Sequence, residues 1–267
     1  ASQGAWLRFN FEREDVASSI TMRFPDGRMQ VAELSMKSVP SGPPLSPPVD
    51  IPAAQVDLRC STYGCTALGA QGELRSIAFG RAATPISHRR PGAVALGSLG
   101  LSECELVAGA VQCHSTDKEL AQRYNALGQV AAFVPATRCV HMVDKRVMCP
   151  DERGGVTELW HAALQVSLLD RYGGYDGCAV LPNQTVECIY AQAHLLGAAV
   201  GPAAPPPTRV PGLDHVDEVQ VSKTRSCARR RGEVYCWGDG RVAALPGVHD
   251  AVAIAVTRVA TCVLHAS

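Results

Sequence analysis

The residues with the most chemistry in this sequence are its eleven cysteines. Eight fall into four pairs, Cys104/Cys113, Cys139/Cys149, Cys178/Cys188 and Cys227/Cys236, whose members stand 9 or 10 positions apart. Zinc knuckles place about two to four residues between cysteines, and none of these pairs does. A nucleophilic site needs a serine or cysteine beside a histidine and an orienting carboxylate. The sequence has no Gly-x-Ser-x-Gly, no His-Glu-x-x-His, no P-loop and no dinucleotide fingerprint. His114 and His141 sit beside cysteines but on hairpin strands, and Gly154-Gly155 and Gly173-Gly174 read as turns. No catalytic residue, metal ligand or cofactor is therefore assigned. Local disulfides made in an oxidising compartment account for the repeated spacing.

Turn formers lie midway between the members of each pair: Gly109, Asp144-Lys145, Asn183-Gln184 and Gly232. Gly, Asn and Asp tolerate the positive φ of tight hairpins. Each pair is expected to face across a β-hairpin within disulfide reach. Each bridge closes a loop of about ten residues and contributes about 2–3 kcal/mol. Cys60, Cys65 and Cys262 remain. Cys60 and Cys65 form one candidate local bridge; a link from Cys262 to either, across a closed ring, is the other reading.

These hairpins recur. Anchored on Cys65, Cys104, Cys139, Cys178, Cys227 and Cys262, the units repeat every 35 to 49 residues, a period that suits propeller blades or solenoid units. The register is plainest at the end. Pro211-Gly-Leu-Asp-His-Val216 and Pro246-Gly-Val-His-Asp-Ala251 each begin 16 residues before an anchor cysteine, and Val219 and Ile254 each lie 8 before it. Val219/Val221 and Val252/Ile254/Val256 alternate as strands do. A copy without cysteines spans Ile20 to Val31 about Pro25-Asp26-Gly27, with Thr21 and Val31 in the cysteine positions. The Pro-rich stretch 39–48 is expected to be an inter-blade loop inside one domain covering residues 1–267. The last repeat stops before its hairpin returns, and Gly4-Ala-Trp-Leu7 resembles the strand at Cys236-Trp237-Gly238. Residues 1–10 are therefore expected to complete the last blade and so remove exposed strand edges.

The composition narrows function. Net charge is zero and the pI about 7.2, without the basic excess of a nucleic-acid binder. No apolar run reaches the ~20 residues of a membrane span. No leader is visible at Ala1, as expected of a mature form. Two arginine groups, His88-Arg89-Arg90 and Arg229-Arg230-Arg231, stand out; the second is expected to be a solvated hairpin tip. Asn183-Gln-Thr185 fits a glycosylation sequon and reads as turn chemistry.

Pro211-Gly-Leu-x-x-Val followed by Cys227-Ala-x-x-x-Gly-x-Val-x-Cys-Trp-Gly-Asp239 resembles the repeat of the regulator of chromosome condensation superfamily. Extracellular bacterial members, which often carry the cysteine pair, are especially similar. The resemblance is strong over 207–262 and fades towards the N-terminus. It implies an all-β, seven-bladed β-propeller with four antiparallel strands per blade. The family's histidine two residues before the anchor is replaced by Tyr63, Ser102, Thr137, Asp176, Arg225 and Ala260, and Trp-Gly survives only at Trp237-Gly238.

Known members act through protein surfaces. A light-sensing role needs clustered tryptophans, and Trp6, Trp160 and Trp237 are too dispersed. The expected function is a non-catalytic binding module for another protein, monomeric, and secreted, periplasmic or on the outer cell surface. An enzyme inhibitor and a surface interaction component are two forms of it. The competing class is a carbohydrate-active lyase or hydrolase at the channel mouth, which a carboxylate cluster there would favour. By register, Tyr63, Tyr172, Tyr175, Arg225 and Arg258 lie on loops entering the inner strands, and Tyr and Arg are the usual interface anchors.

Overall fold

The computed structural model describes residues 6–13, 16–23, 29–33, 49–51, 55–61, 64–78, 84–99, 102–113, 118–135, 137–151, 154–171, 174–189, 207–238, 240–257 and 261–265. The chain divides into two compact units, Ala1–Phe133 and Val134–Ser267.

The first unit opens with β1 (Trp6–Arg13), β2 (Val16–Arg23), β3 (Met29–Glu33) and β4 (Val49–Ile51), a four-stranded antiparallel sheet in chain order. Thr21 pairs with Val31 across β2 and β3, as the cysteine-free repeat requires. Two expectations are corrected here. Among the described residues the N-terminal strand pairs within this sheet rather than with the last one: Trp6 pairs with Arg23 and Phe9 with Ile20. Only two residues separate β1 from β2, so the local hairpin forms at far lower loop-closure entropy than a link across the whole chain. The Pro-rich stretch 39–48 lies in the connection from β3 to β4, where Val31 pairs with Val49, and so joins strands of one sheet rather than two sheets.

A second four-stranded sheet follows: β5 (Gln55–Ser61), β6 (Gly64–Gly69), β7 (Glu73–Ala78) and β8 (Thr84–Arg89). Cys60 and Cys65 stand directly opposite in its first hairpin. Their side chains, and hence their bridge, lie outside the described residues. Next come β9 (Ala93–Leu99), β10 (Ser102–Val107) and β11 (Ala110–Cys113), then α1 (Lys118–Leu127) and β12 (Val130–Phe133).

The helix is absent from the sequence reading. Lys-Glu-Leu-Ala-Gln-Arg is rich in good helix formers, and Ala121 and Tyr124, three apart, form its buried face. α1 takes the place beside β11 that a fourth strand holds elsewhere. Asn125 stands in for that strand's backbone. Its Oδ1 accepts the Val111 N–H at 2.8 Å and its Nδ2 donates to the Val111 carbonyl at 2.9 Å.

The second unit contains β13 (Val140–Met142), β14 (Val147–Pro150) and β15 (Val156–Trp160), each paired antiparallel to the next. Two four-stranded sheets follow. One is β16 (Gln165–Arg171), β17 (Gly174–Val180), β18 (Val186–Ile189) and β19 (Thr208–Arg209); the other is β20 (Glu218–Val221), β21 (Ser226–Arg230), β22 (Glu233–Trp237) and β23 (Ala243–Ala244). The chain closes with β24 (Ala251–Val256) and β25 (Thr261–His265), a sheet of two strands among the described residues. The widest anchor gap, Cys178 to Cys227, contains the connection 190–206 between β18 and β19, so length variation falls between third and fourth strands.

All four hairpin disulfides form, with Cα separations of 4.0–4.3 Å. Their two spacings are two turn types. Ala108-Gly109 (φ 49° and 81°) and Arg231-Gly232 (53° and 84°) are two-residue turns with both residues left-handed, and these pairs are 9 apart. Lys145 (74°) and Gln184 (59°) are single left-handed residues in turns one residue longer, closed by Lys145 N–H to Met142 and Gln184 N–H to Leu181; these pairs are 10 apart. The last left-handed residue of each turn also points its carbonyl at the chain entering the next element. Gly109, Lys145, Gln184 and Gly232 accept N–H groups from Val130, Ala163, Val216 and Ala251 at 2.8–2.9 Å.

The bridges lie in the core. Cys178 and Cys188 pack with Leu213, Val216, Val219 and Trp237. Cys139 and Cys149 pack with Trp160, Leu168 and Ile189. Cys227 packs with Ile254 and Val256. These three disulfides therefore lie between their own sheet and the first strand of the next. Leu213 and Val216, the apolar residues of the Pro-Gly-Leu-x-x-Val motif, are the plug beneath one of them.

Candidate protein-binding surface

Loops present a surface only as well as the frame beneath them is fixed, and polar side chains on the first strand of several sheets do part of that fixing. Asp57 on β5 accepts the Leu96 N–H of β9 at 2.7 Å. Gln165 on β16 accepts the Val219 N–H of β20 at 2.9 Å and donates to the Val219 carbonyl at 3.0 Å. Glu218 on β20 accepts the Ile254 N–H of β24 at 3.2 Å. The recipients share one register position. Leu96, Val219 and Ile254 each precede the residue that faces an anchor cysteine, namely Gly97, Gln220 and Ala255. Ser167 adds a second clamp by accepting the Val221 N–H at 3.1 Å. Sequence reasoning missed these residues. Their signal is a polar side chain inside an otherwise apolar inner strand, as in Val216-Asp-Glu-Val-Gln-Val221.

Above this frame, the connection from β20 to β21 is a turn closed on itself. Ser222 N–H donates to the Arg225 carbonyl at 2.8 Å, and Ser222 Oγ accepts the Arg225 N–H at 3.2 Å. The backbone of Arg225 is thus held while its side chain is exposed. Tyr63, Tyr172 and Arg258 fall in the equivalent first-to-second-strand connections, β5–β6, β16–β17 and β24–β25, and lie outside the described residues. Tyr175 is elsewhere. It is 6% exposed and packs in the core with Trp160, Leu168 and Ala179, so it supports the frame rather than a binding face. It is the second residue of β17, whose side chains are buried from there onward.

The arginine hairpin differs from the expected solvated tip. Arg229 Nη1 reaches Asp217 at 3.0 Å and its Nε reaches Glu218 at 3.3 Å. Arg230 Nη1 pairs with Asp214 at 3.2 Å, its Nη2 donates to Tyr235 Oη at 2.9 Å, and its guanidinium lies 4.6 Å from the Tyr235 ring centre. Tyr235 donates in turn to Glu233 at 2.7 Å. That bond, with burial, pushes the Tyr235 phenol up. Arg231 N–H donates to Asp217. Burial pushes the Glu218 carboxyl above its ordinary value, against the lowering pull of Gln220 and Arg229. Asp214, Asp217, Glu218 and Glu233 therefore all contact an arginine or a tyrosine. In the other basic group, Arg90 pairs with Glu105 at 3.2 Å.

Three further polar residues have structural partners. His141 Nε2 bonds the Ala163 carbonyl at 2.8 Å. Thr137 Oγ1, in the position of the family histidine, donates to the Val134 carbonyl and accepts the Cys139 N–H. Asn183 Oδ1 accepts from Thr185 N and Oγ1, the Asx turn expected of the sequon. A shallow hollow of about 390 Å³ lies among Pro211, Gly212, Gly240, Arg241 and Val242.

No protein-family model and no curated protein matches the sequence. Solved structures do. Yeast RCC1 (Prp20), solved bound to Kap60, matches with a TM-score of 0.55 at 11% identity, over 94% of this chain and 79% of that one. Human WBSCR16 matches at 0.52 and 12% identity, over 80% of this chain and 74% of that one. The chain folds as an RCC1-like β-propeller. YCF48 bound to a D1 peptide has the same kind of fold, with a TM-score of 0.53 at 7% identity over 92% of this chain and 83% of that one. An RCC1-like propeller accounts for the repeated sheets, the periodic anchor cysteines and the clamps from one first strand to the next. The four disulfides fit an oxidising compartment. Among the described residues no helix is long and apolar enough to cross a membrane.

Proposed function

We propose that this chain is a non-catalytic protein-binding module: one seven-bladed propeller domain spanning residues 1–267, monomeric, working outside the cytoplasm in the manner of the bacterial secreted, periplasmic or surface members of its fold. The observation that carries the reading is Arg225, an exposed interface-type side chain on a turn pinned by Ser222, above sheets stapled by buried disulfides. Binding is favoured when the recognising loop is ordered beforehand, because less entropy is lost on association. Tyr63, Tyr172 and Arg258, in the equivalent connections, are the other proposed contacts. Two proteins of similar fold were solved with bound polypeptides, Kap60 and a D1 peptide. Inhibition of a secreted enzyme is one form this binding takes.

The test is affinity capture from the envelope and medium of the source organism, with wild type and the quadruple variant Tyr63→Ala, Tyr172→Ala, Arg225→Ala, Arg258→Ala as baits. A partner retained by wild type and lost by a variant of unchanged melting temperature supports the reading. Equal retention moves binding away from these loops. Turnover of a glycan by the purified chain would replace binding with catalysis.

A further inference from the structure

The second unit, Val134–Ser267, distributes its charge unevenly. The chain passes from the first strand of a sheet to the second at 172–173, 222–225 and 257–260, and 134–139 makes the same approach to β13. In or beside these segments stand Arg138, Arg171 at the end of β16, Lys223, Arg225 and Arg258, and the segments themselves contain no acidic residue. The whole chain has 25 basic and 25 acidic residues, so the basic residues are segregated here. Gln165 fastens β16 to β20, and Glu218 fastens β20 to β24, at one register position. The connections that follow these strands therefore stand side by side at one end. Arginines at the opposite end are neutralised within the fold, Arg229 by Asp217 and Glu218 and Arg230 by Asp214. Arg138 and Arg225 are exposed instead. Of the nearest acids, Asp176 is fully buried and Asp170 stands opposite Tyr175 across β16 and β17.

A second observation is how these basic residues are held. Beside Arg138, the buried Thr137 Oγ1 donates to the Val134 carbonyl at 3.0 Å and accepts the Cys139 N–H at 3.1 Å, and the Val134 N–H donates to the Cys139 carbonyl at 3.0 Å. The buried Ser222 closes the turn under Arg225 in the same manner. Thr257, also buried, precedes Arg258. The side chains of Arg171 and Arg258 lie outside the described residues. Turns fixed by a buried hydroxyl lose little entropy when the arginines they present are engaged.

We propose that, given the protein-binding role above, these connections hold an acidic, extended segment of the partner protein, with its Asp and Glu carboxylates on the arginines. The planar fork of a guanidinium matches a carboxylate with two parallel hydrogen bonds. Spacing favours an extended chain. Packed sheets stand about 10 Å apart, and a polyproline II chain returns to the same face every three residues, about 9 Å on. An acid at every third position therefore meets one connection after another. Zero net charge favours a short acidic segment over a nucleic acid, whose binding draws on a basic excess across the domain.

The test is fluorescence anisotropy of the full chain with a labelled peptide carrying one Glu-Pro-Pro repeat per connection, its Gln-Pro-Pro and Lys-Pro-Pro counterparts, and a single-stranded DNA of equal charge. The glutamate peptide should bind in preference to the others, and more weakly as salt is raised. Arg138→Gln and Arg225→Gln should each weaken it about two- to fivefold at unchanged melting temperature. Arg231→Gln, at the exposed hairpin tip on the opposite end, should leave it unchanged. Arg138→Glu with Arg225→Glu should turn the preference to the lysine peptide, an outcome that a merely structural role for these arginines does not produce. Equal binding of the glutamate and glutamine peptides, an equal effect of Arg231→Gln, or tighter binding of the DNA overturns the proposal. If the glutamate peptide does not bind while a captured partner is still lost by the quadruple variant, the acidic segment is wrong and the protein-binding reading stands. If the peptide binds and no protein is captured from envelope or medium, both are overturned and the rim belongs to an anion that is not a protein.

Discussion

Replacing Gln165 with alanine should unfasten two sheets without touching a disulfide. Val219 is fully buried, and its N–H and carbonyl both turn away from β21 to the one amide of Gln165. A buried backbone group left without a partner costs about 1–3 kcal/mol, so losing both contacts predicts roughly 2–4 kcal/mol, less where water enters. The comparison with Glu218 sharpens the test, because it clamps the next pair of sheets with a carboxyl. Its folded-state pKa is raised by burial above the ordinary 4.5. The folded state then binds the proton more tightly than the unfolded one, so this group's contribution becomes unfavourable as pH rises from 4.5 through the raised value. Glu218→Gln keeps an acceptor for Ile254 and removes that penalty. It should match or exceed wild type at pH 7 and lose the advantage below pH 4.5. Glu218→Ala should destabilise at both. Gln165→Glu should behave oppositely, worst at neutral pH, where a carboxylate faces the Val219 carbonyl. Urea denaturation at several pH values gives the energies, and hydrogen exchange at the Val219 amide gives the site. A Gln165→Ala midpoint equal to wild type, with Val219 still protected, would refute the clamp.

Four other outcomes follow from the same frame. Cys227→Ser with Cys236→Ser should lower stability by about 2–3 kcal/mol in urea melts, and reductant should bring wild type towards the variant. Asp250 is held below its ordinary 3.8 by the His265 hydrogen bond and charge. Its stabilising contribution is present above 3.8 and fades as pH falls through the lowered value, and His265→Ala should return the carboxyl titration, followed by NMR, towards 3.8. Gly232→Ala places a methyl 2.5 Å from the His249 carbonyl oxygen at φ 84° and should cost more than the ~1 kcal/mol of a permissive site. Lys145→Gly relieves a left-handed lysine at φ 74° and should raise stability by roughly 0.5–1 kcal/mol in the same melts.

Much of the fold is legible because hairpins are local. Cysteines 9 or 10 apart about a turn have few other ways to meet, so the four bridges and the Thr21–Val31 copy are readable from spacing. The left-handed residue in each turn was partly visible as Gly109 and Gly232, and hidden where Lys145 and Gln184 tolerate the strain. The candidate site was less legible. Arg225 is where register puts it, whereas Tyr175 turns inward, because one position in a strand decides between core and solvent. The arginine tip looked solvated because its acids, Asp214 to Glu218, lie more than ten residues away in sequence.

Local pairing and the repeat period were determined by the sequence itself, through turn chemistry and strand alternation. The partner of the N-terminal strand was decided only in three dimensions. Whether Trp6–Arg13 folds back on β2 or reaches the last sheet depends on competition between a two-residue turn and a link across the whole chain, and the entropy of the shorter loop wins. The clamps by Asp57, Gln165 and Glu218 belong to the same class. They join residues about 36 to 54 positions apart, and only packed sheets bring such groups within hydrogen-bond distance.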